Sequence, residues 1–302
     1  MTGRAAYALV LVSALALPSC DTAPPEPRPS AAAPVTTAPA TTPAPTRSPT
    51  PKPTTRTYVA PVGRYRSPNA LARAVIDADR VLHDRTADAA STARAGQAQQ
   101  RAYRQLALTP GWQAAAYAAL PAGLRADARD CVLAATELRA ATSPRTELPP
   151  WRIVPAAPEP ELLRYYRESG ARHGIHWTYL AAINLVETRM GRLRGTSSAG
   201  ARGPMQFLPS TWAEVGRGDI DDPRDAIDAA ARYLVRRGGR EDIARGVRGY
   251  NPTEHYVRAV LAYARVLRRD ATAYRGFYHW QVYYRMATGD VVLLEGYNPR
   301  ER

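Results

Sequence analysis

Leu180-Ala181-Ala182-Ile183-Asn184-Leu185-Val186-Glu187 is the stretch on which the reading turns. Leu180, Ile183 and Glu187 stand at i, i+3 and i+7, which is one face of a helix. Two members of that stripe are apolar and the third is an acid. A carboxyl on a core-facing stripe loses solvation, and its pKa rises. A carboxyl still protonated near neutral pH is what a general acid requires. The bland alternative is a solvated Glu at the edge of an amphipathic helix. Two later segments weigh against it: Gly203-Pro204-Met205-Gln206-Phe207 and Gly249-Tyr250-Asn251-Pro252.

Working outward, helical patterns recur at 159–169, 176–188, 209–216, 223–237, 240–248 and 252–269. The helix near Pro223 has clear start chemistry, with Asp222 as N-cap, Pro223 at the first position and Asp225 at the third. Residues 280–284 and 291–294 flank Thr288-Gly289-Asp290 and read as a β-hairpin. Upstream, 67–142 is helical throughout. It opens at Ser67-Pro68, turns at Thr109-Pro110-Gly111 and restarts at Pro121. Its middle, Arg85 to Gln105, is rich in Ala and Gln, with little hydrophobic anchoring. The predicted fold is mainly α, with an N-terminal helical module and a C-terminal β-hairpin.

The first 58 residues lack the apolar content for a core. Arg4 followed by the apolar run Ala5 to Leu17 reads as a secretion signal, too short for an ordinary membrane span. Leu17-Pro18-Ser19-Cys20 resembles the bacterial lipoprotein box, and the resemblance implies cleavage before Cys20 and lipidation of its thiol. Pro18 is an unusual occupant, and an ordinary secretory signal is the alternative. The Pro/Ala/Thr-rich stretch that follows reads as an extended tether. The expected organisation is a signal at 1–19, a tether at 20–64, a helical accessory module at 65–145 and a Pro-rich connector at 146–158. A catalytic domain at 159–270 and a hairpin extension at 271–302 complete it.

The chain carries 41 Lys and Arg against 27 Asp and Glu, a net charge of +14, and Lys52 is its single lysine. Such a balance suggests an anionic partner. No arginine-rich block with interleaved aromatics appears, so nucleic acid is not expected. Within 159–270 there are 19 basic and 14 acidic side chains, a net of +5, which describes a mixed surface. The histidines, His83, His173, His176, His255 and His279, are scattered, and His-Glu-x-x-His is absent, so neither a zinc peptidase nor any resident metal or cofactor is expected. His173 and His176 read as surface or cap residues. With Cys20 lipidated, Cys131 is a lone buried thiol in a helix, and no disulfide framework is implied.

Residues 159–270 resemble the lytic transglycosylases with a goose-type-lysozyme-like fold. The likeness is strongest to secreted actinobacterial members and extends weakly into the hairpin. The family pattern is a catalytic Glu followed by Ser or Thr, then Gly-Leu-Met-Gln, then Ala-Tyr-Asn. Here these stand as Glu187-Thr188, Gly203-Pro204-Met205-Gln206 and Gly249-Tyr250-Asn251. Pro204 replaces the Leu and Gly249 the Ala. The resemblance implies cleavage between N-acetylmuramic acid and N-acetylglucosamine in peptidoglycan glycan strands. It also implies a 1,6-anhydro product and a single carboxyl, Glu187, acting as acid and then base.

Of the remaining residues, Met205 and Gln206 are expected across the cleft from Glu187, and the resemblance implies Met against sugar and Gln in polar contact with it. For Met205 an ordinary core position is the alternative. Tyr250 could hydrogen-bond the Glu187 carboxyl or the sugar acetamido group, or simply pack. Asn251 could cap the last helix and touch ligand, and Thr188 could fix the Glu187 carboxyl. Ser197 and Ser198 stand in a loop with access to sugar. A hydrolytic muramidase would need a second carboxylate, for which Glu214 is the candidate. A non-catalytic wall-binding protein on a lysozyme-like domain is the third reading, with the helical module recruiting a cell-wall protein. The expected location is the outer face of the cytoplasmic membrane through a lipid anchor, or secretion.

Overall fold

The computed structural model describes residues 59–299, so the secretion signal, the lipoprotein box with Cys20 and most of the tether lie outside the described residues. The chain begins with a short strand, β1 (Val59–Pro61), and then four helices: α1 (Pro68–His83), α2 (Ala89–Leu108), α3 (Gln113–Ala119) and α4 (Ala122–Ala140). After β2 (Arg152–Ile153) come α5 (Glu159–His173), α6 (Trp177–Thr188) and β3 (Leu193–Arg194). Then follow α7 (Pro209–Val215), α8 (Pro223–Arg236), α9 (Ile243–Tyr250), α10 (Glu254–Arg269) and α11 (Ala273–Tyr278). The hairpin β4 (Val282–Met286) and β5 (Gly289–Leu293) closes the described chain. The fold is mainly α with a C-terminal hairpin, as the sequence predicts.

Helix starts follow local chemistry. Ser67 accepts from Ala70 N, Asp88 from Ser91 N, Asp222 from Arg224 N and Asp225 N, and Thr253 from Tyr256 N. Each satisfies backbone donors that the first turn leaves without partners. His176 does the same for α6, receiving Thr178 N. His173 instead pairs with Asp228 at 2.9 Å.

One hydrophobic core runs through the helices. It holds Leu71 and Val75 of α1, Leu106 of α2, Val132 of α4, Leu180 and Ile183 of α6, Leu234 of α8 and Val260 of α10. The segment 65–145, expected as an accessory module, is therefore built into the same core as 159–270. Ion pairs of Arg265 and Arg269 on α10 with Asp127 and Asp130 on α4 cover that junction. Cys131 is buried beside it, and burial pushes its thiol well above the usual range.

At α6 the periodicity reading is exceeded. The expected apolar stripe is a helix buried from Thr178 to Thr188 with Tyr179 alone half-exposed. A helix apolar on all sides is a central one, and α6 packs against α5, α8 and α10.

A smaller core sits under the strands. β5 pairs antiparallel with both β4 and β1, and β2 pairs with β3. Trp151, Ile153, Leu193, Val282, Tyr284, Leu293 and Tyr297 fill the space between them. Two expectations change here. The stretch 146–158 supplies Trp151 and Ile153 to this core, and Val59–Pro61, placed in the tether, adds an edge strand to the hairpin. Both were hidden because one strand of three residues and one of two have no periodicity to read.

Candidate active site

Glu187 occupies the last turn of α6 and is 6 % exposed. The helix ends immediately after it. Arg189, Met190 and Gly191 follow with φ of 53°, 61° and 81°. Left-handed backbone at two non-glycine residues costs about 1–2 kcal/mol each, so something must hold it. Thr188 Oγ1 accepts from Gly191 N at 3.0 Å, and Met190 N reaches back to Asn184 O. Strained backbone concentrates at functional sites.

Opposite this end lies the turn Gly203–Gln206, closed by Gln206 N donating to Gly203 O and by the bridge between Arg202 and Phe207. Gly203 has φ of 77°, and a Cβ there would meet Ile220 O at 2.1 Å, so glycine is required. Pro204 follows at the second turn position, where its fixed φ is favoured, which accounts for Pro in place of the family's Leu. Three side chains pin the turn from outside. Thr188 Oγ1 and Asn184 Nδ2 each donate to Pro204 O at 2.6 Å. Tyr250 Oη donates to Met205 O at 2.6 Å. Gln206 Nε2 turns inward, donating to Gly203 O at 3.0 Å, and Gln206 itself takes a left-handed φ of 51°.

The carboxyl of Glu187 is held from another direction. Tyr256, on the first turn of α10 and wholly buried, donates its hydroxyl to Glu187 Oε1 at 2.6 Å. Oε2 is buried with no protein hydrogen-bond partner. Burial pushes the Glu187 pKa up to about 8, with the Tyr256 hydrogen bond pulling the other way. Neither cause is another carboxylate. A buried carboxylate oxygen without partners is costly, and the neutral acid is the cheaper form. Near pH 7 Glu187 is therefore mostly a proton donor. Burial also keeps the phenols of Tyr250 and Tyr256 well above their usual range, so both remain donors.

Aromatic rings back the turn. Phe207 lies 5.6 Å from Trp212 and 5.7 Å from Tyr250, and Tyr233 packs edge-on to Tyr250 at 5.6 Å. The second departure from the family pattern has its reason here. A Cβ at Gly249 would stand 2.5 Å from Arg237 Cγ, and Arg237 lays its guanidinium over the Tyr233 ring.

Several expected roles change. Tyr250 bonds the turn, and Tyr256, which the sequence did not single out, bonds the acid. Thr188 is wholly buried with its hydroxyl directed to Pro204 O, so it positions the turn and neither fixes the carboxyl nor reaches sugar. Met205 is wholly buried and belongs to the core. Asn251 is buried and accepts from Thr253 N and Oγ1, ordering the entry to α10, while Thr253 is the cap. Ser197 Oγ accepts from Ala201 N at 3.0 Å and shapes its own loop, and Ser198 is exposed on it. Glu214 is exposed and pairs with Arg236 at 3.4 Å. Among the described residues no group of three or more His, Cys, Asp or Glu could hold a metal ion. No described helix is long and apolar enough to cross a membrane.

The signal that could have found Tyr256 is local but weak. It stands at the third helical position after the Thr253 cap, six residues beyond Tyr250. Its bond to Glu187 spans 69 positions of chain, and no spacing rule covers that.

Residues 164–275 match the family model described as the Transglycosylase SLT domain. Two curated relatives, each named Membrane-bound lytic murein transglycosylase F, come from Ectopseudomonas mendocina (strain ymp) and Stutzerimonas stutzeri (strain A1501). Each is 34 % identical over 76 residues, 25 % of this chain. The chain spans only 15 % of the length of these relatives. No solved structure gives a significant match. Over residues 164–275, then, the chain is similar to the Transglycosylase SLT domain.

Proposed function

We propose that the protein is a lytic transglycosylase that cleaves the β-1,4 bond between N-acetylmuramic acid and N-acetylglucosamine in peptidoglycan, leaving 1,6-anhydro ends. The observation that carries this is Glu187: one buried acid with its pKa raised to about 8, one oxygen held by Tyr256 and the other without a protein partner. Glu187 gives its proton to the glycosidic oxygen as the C1–O bond breaks. The substrate's acetamido group supports the charge at C1, a substrate-assisted route open to glycosidases with one carboxyl. The Glu187 carboxylate then takes the proton from the C6 hydroxyl, whose oxygen closes on C1. The acid is thereby restored.

Tyr256 steadies the carboxylate between the two steps, since a phenol donates to the ionised form. Gln206, Asn251 and Ser198 are the proposed polar contacts to the glycan. Thr188, Asn184 and Tyr250 position the turn that presents Gln206. Hydrolysis by the ordinary two-carboxylate route would need a second carboxylate roughly 5–9.5 Å away, and Glu214, exposed and paired with Arg236, is poorly suited to it.

The test is mass spectrometry of muropeptides released from purified peptidoglycan. Products one water lighter than reducing ends, and resistant to borohydride, are expected. Reducible ends would replace this reading with a muramidase, and no release at all would leave a wall-binding protein.

We further propose that Cys20 is lipidated and holds the protein at the outer face of the cytoplasmic membrane. The lipoprotein-like box and the membrane-bound character in the relatives' names support this. Cys20→Ser should move the protein from the membrane fraction to the soluble one, and persistence in the membrane would rule the anchor out.

A further inference from the structure

A cavity of about 100 Å³ lies where α2, α4, the end of α6, α10 and β4 meet. Five arginines line it: Arg104, Arg139, Arg145, Arg189 and Arg285. Among the described residues no acidic one does. Behind the wall, Asp290 of β5 accepts from Arg104 Nη2 at 2.8 Å and from Arg139 Nη1 at 2.9 Å. Burial raises the Asp290 pKa, and the two guanidinium groups outweigh it and hold the carboxyl below the usual range.

Two further arginines are oriented by neutral groups. Arg285 Nη1 donates to the carbonyls of Arg139 and Thr142, and Arg189 Nη1 to that of Leu185. Carbonyls fix the planes of these forks without neutralising them. Arg104 stacks on the Tyr283 ring at 4.1 Å, which fixes a third plane. Burial depresses the Arg189 pKa, opposed in part by Tyr263, and the like charge of Arg104 depresses it further. Arg104 and Arg189 line one small cavity with like charge, and an anion entering it offsets their repulsion.

The number and placement of the forks choose the anion. The planar carboxylate of Asp290 already takes three hydrogen bonds, one from Arg104 and two from Arg139. Guanidinium groups arriving from a helix, a helix end and a strand suit a tetrahedral oxyanion with three or more acceptor oxygens. The space admits a single such group. We propose that this cavity binds a phosphoryl group, offered either by free inorganic phosphate or by the phosphomonoester headgroup of an anionic lipid.

Calorimetric titration of the full chain with inorganic phosphate, at fixed ionic strength against chloride, tests this. Saturable one-site binding is expected. Arg285→Gln should weaken it at least ten-fold and Arg285→Lys by less. Asp290→Asn should tighten it, because Arg104 and Arg139 are released from a competing anion. That sign separates a binding site from a structural ion cluster, in which Asn at 290 would bring no gain in phosphate affinity. Co-sedimentation with phosphatidic acid vesicles but not phosphatidylcholine vesicles, relieved by free phosphate, would identify the lipid as the source. Phosphate binding without co-sedimentation would identify the free ion. Heat no greater than with chloride, or equal phosphate affinity in the wild type and Arg285→Gln, would overturn the site.

Discussion

Gln100 on α2 and Glu187 on α6 are both buried polar side chains, and the fold treats them in opposite ways. On α2, Gln100 is 1 % exposed and makes a reciprocal pair with the backbone of Gln281, accepting from its N at 2.8 Å and donating to its O at 2.9 Å. Gln105 repeats the device with Tyr65, at 2.7 and 2.9 Å. On α6, Glu187 is nearly as buried, yet only one of its two oxygens has a protein partner. Buried polar groups are normally satisfied. A satisfied amide joins two parts of the fold, and a half-satisfied acid keeps its proton available for chemistry. The comparison explains how a segment with few large apolar residues still belongs to the main core. Arg85 to Gln105 looks poorly anchored because its anchors are amide pairs.

The sharpest way to break that comparison is to make the acid neutral for good. Glu187→Gln should lower glycan cleavage by about 10²–10⁴-fold, the range for loss of a general acid, measured as muropeptide release. Relative to the wild type, the same variant should become more stable as pH rises. The folded-state pKa of Glu187 lies above its unfolded value, so the folded protein binds the extra proton between about pH 4.5 and 8. The wild type therefore loses stability through that window, up to on the order of 3–5 kcal/mol above it. Gln cannot ionise, so urea unfolding at pH 6 and pH 9 should show the variant's advantage growing with pH. A constant difference would mean that Glu187 titrates normally.

The opposite break is Gln100→Leu. It strands the Gln281 N–H and C=O and should cost about 2–3 kcal/mol in urea unfolding, while activity per folded molecule stays unchanged. A loss of turnover would show that α2 bears on the site and does not merely hold the hairpin.

Smaller effects sharpen the picture. Thr188→Val keeps the shape but removes the hydroxyl from Pro204 O and Gly191 N. About 1–2 kcal/mol of stability should go with it, and KM should rise more than kcat falls, since Thr188 orders the turn that carries Gln206. Tyr256→Phe removes the bond that pulls the Glu187 pKa down. The alkaline limb of the pH–rate profile should move up by about one unit, corresponding to about 1.4 kcal/mol. A limb that stays in place would separate the phenol from the titration.

Much of the site was legible because its parts are local. The acid at the end of an apolar helix, the glycine needed before a turn and the tyrosine at the end of a short helix each announce themselves within a few residues. Roles were less legible than positions. Thr188 and Tyr250 were expected near the carboxyl, and both instead hold the carbonyls of the turn at Pro204 and Met205. Sequence places a hydroxyl near a site but does not say which acceptor it meets. Pro204 and Gly249, departures in the family pattern, became intelligible once the turn and Arg237 were in view.

By itself, then, the sequence determined most of the helices, the caps at Ser67 and Asp222, the hairpin and the placing of Glu187 at the end of an apolar helix, because each depends on interactions within one or two turns of chain. Tertiary structure decided the rest: that α6 is buried on nearly every side, that Tyr256 rather than Tyr250 meets Glu187, that residues 65–145 share the main core and that five arginines line one cavity. These outcomes depend on which surfaces meet, and desolvation, which sets the pKa of Glu187, exists only when they have met.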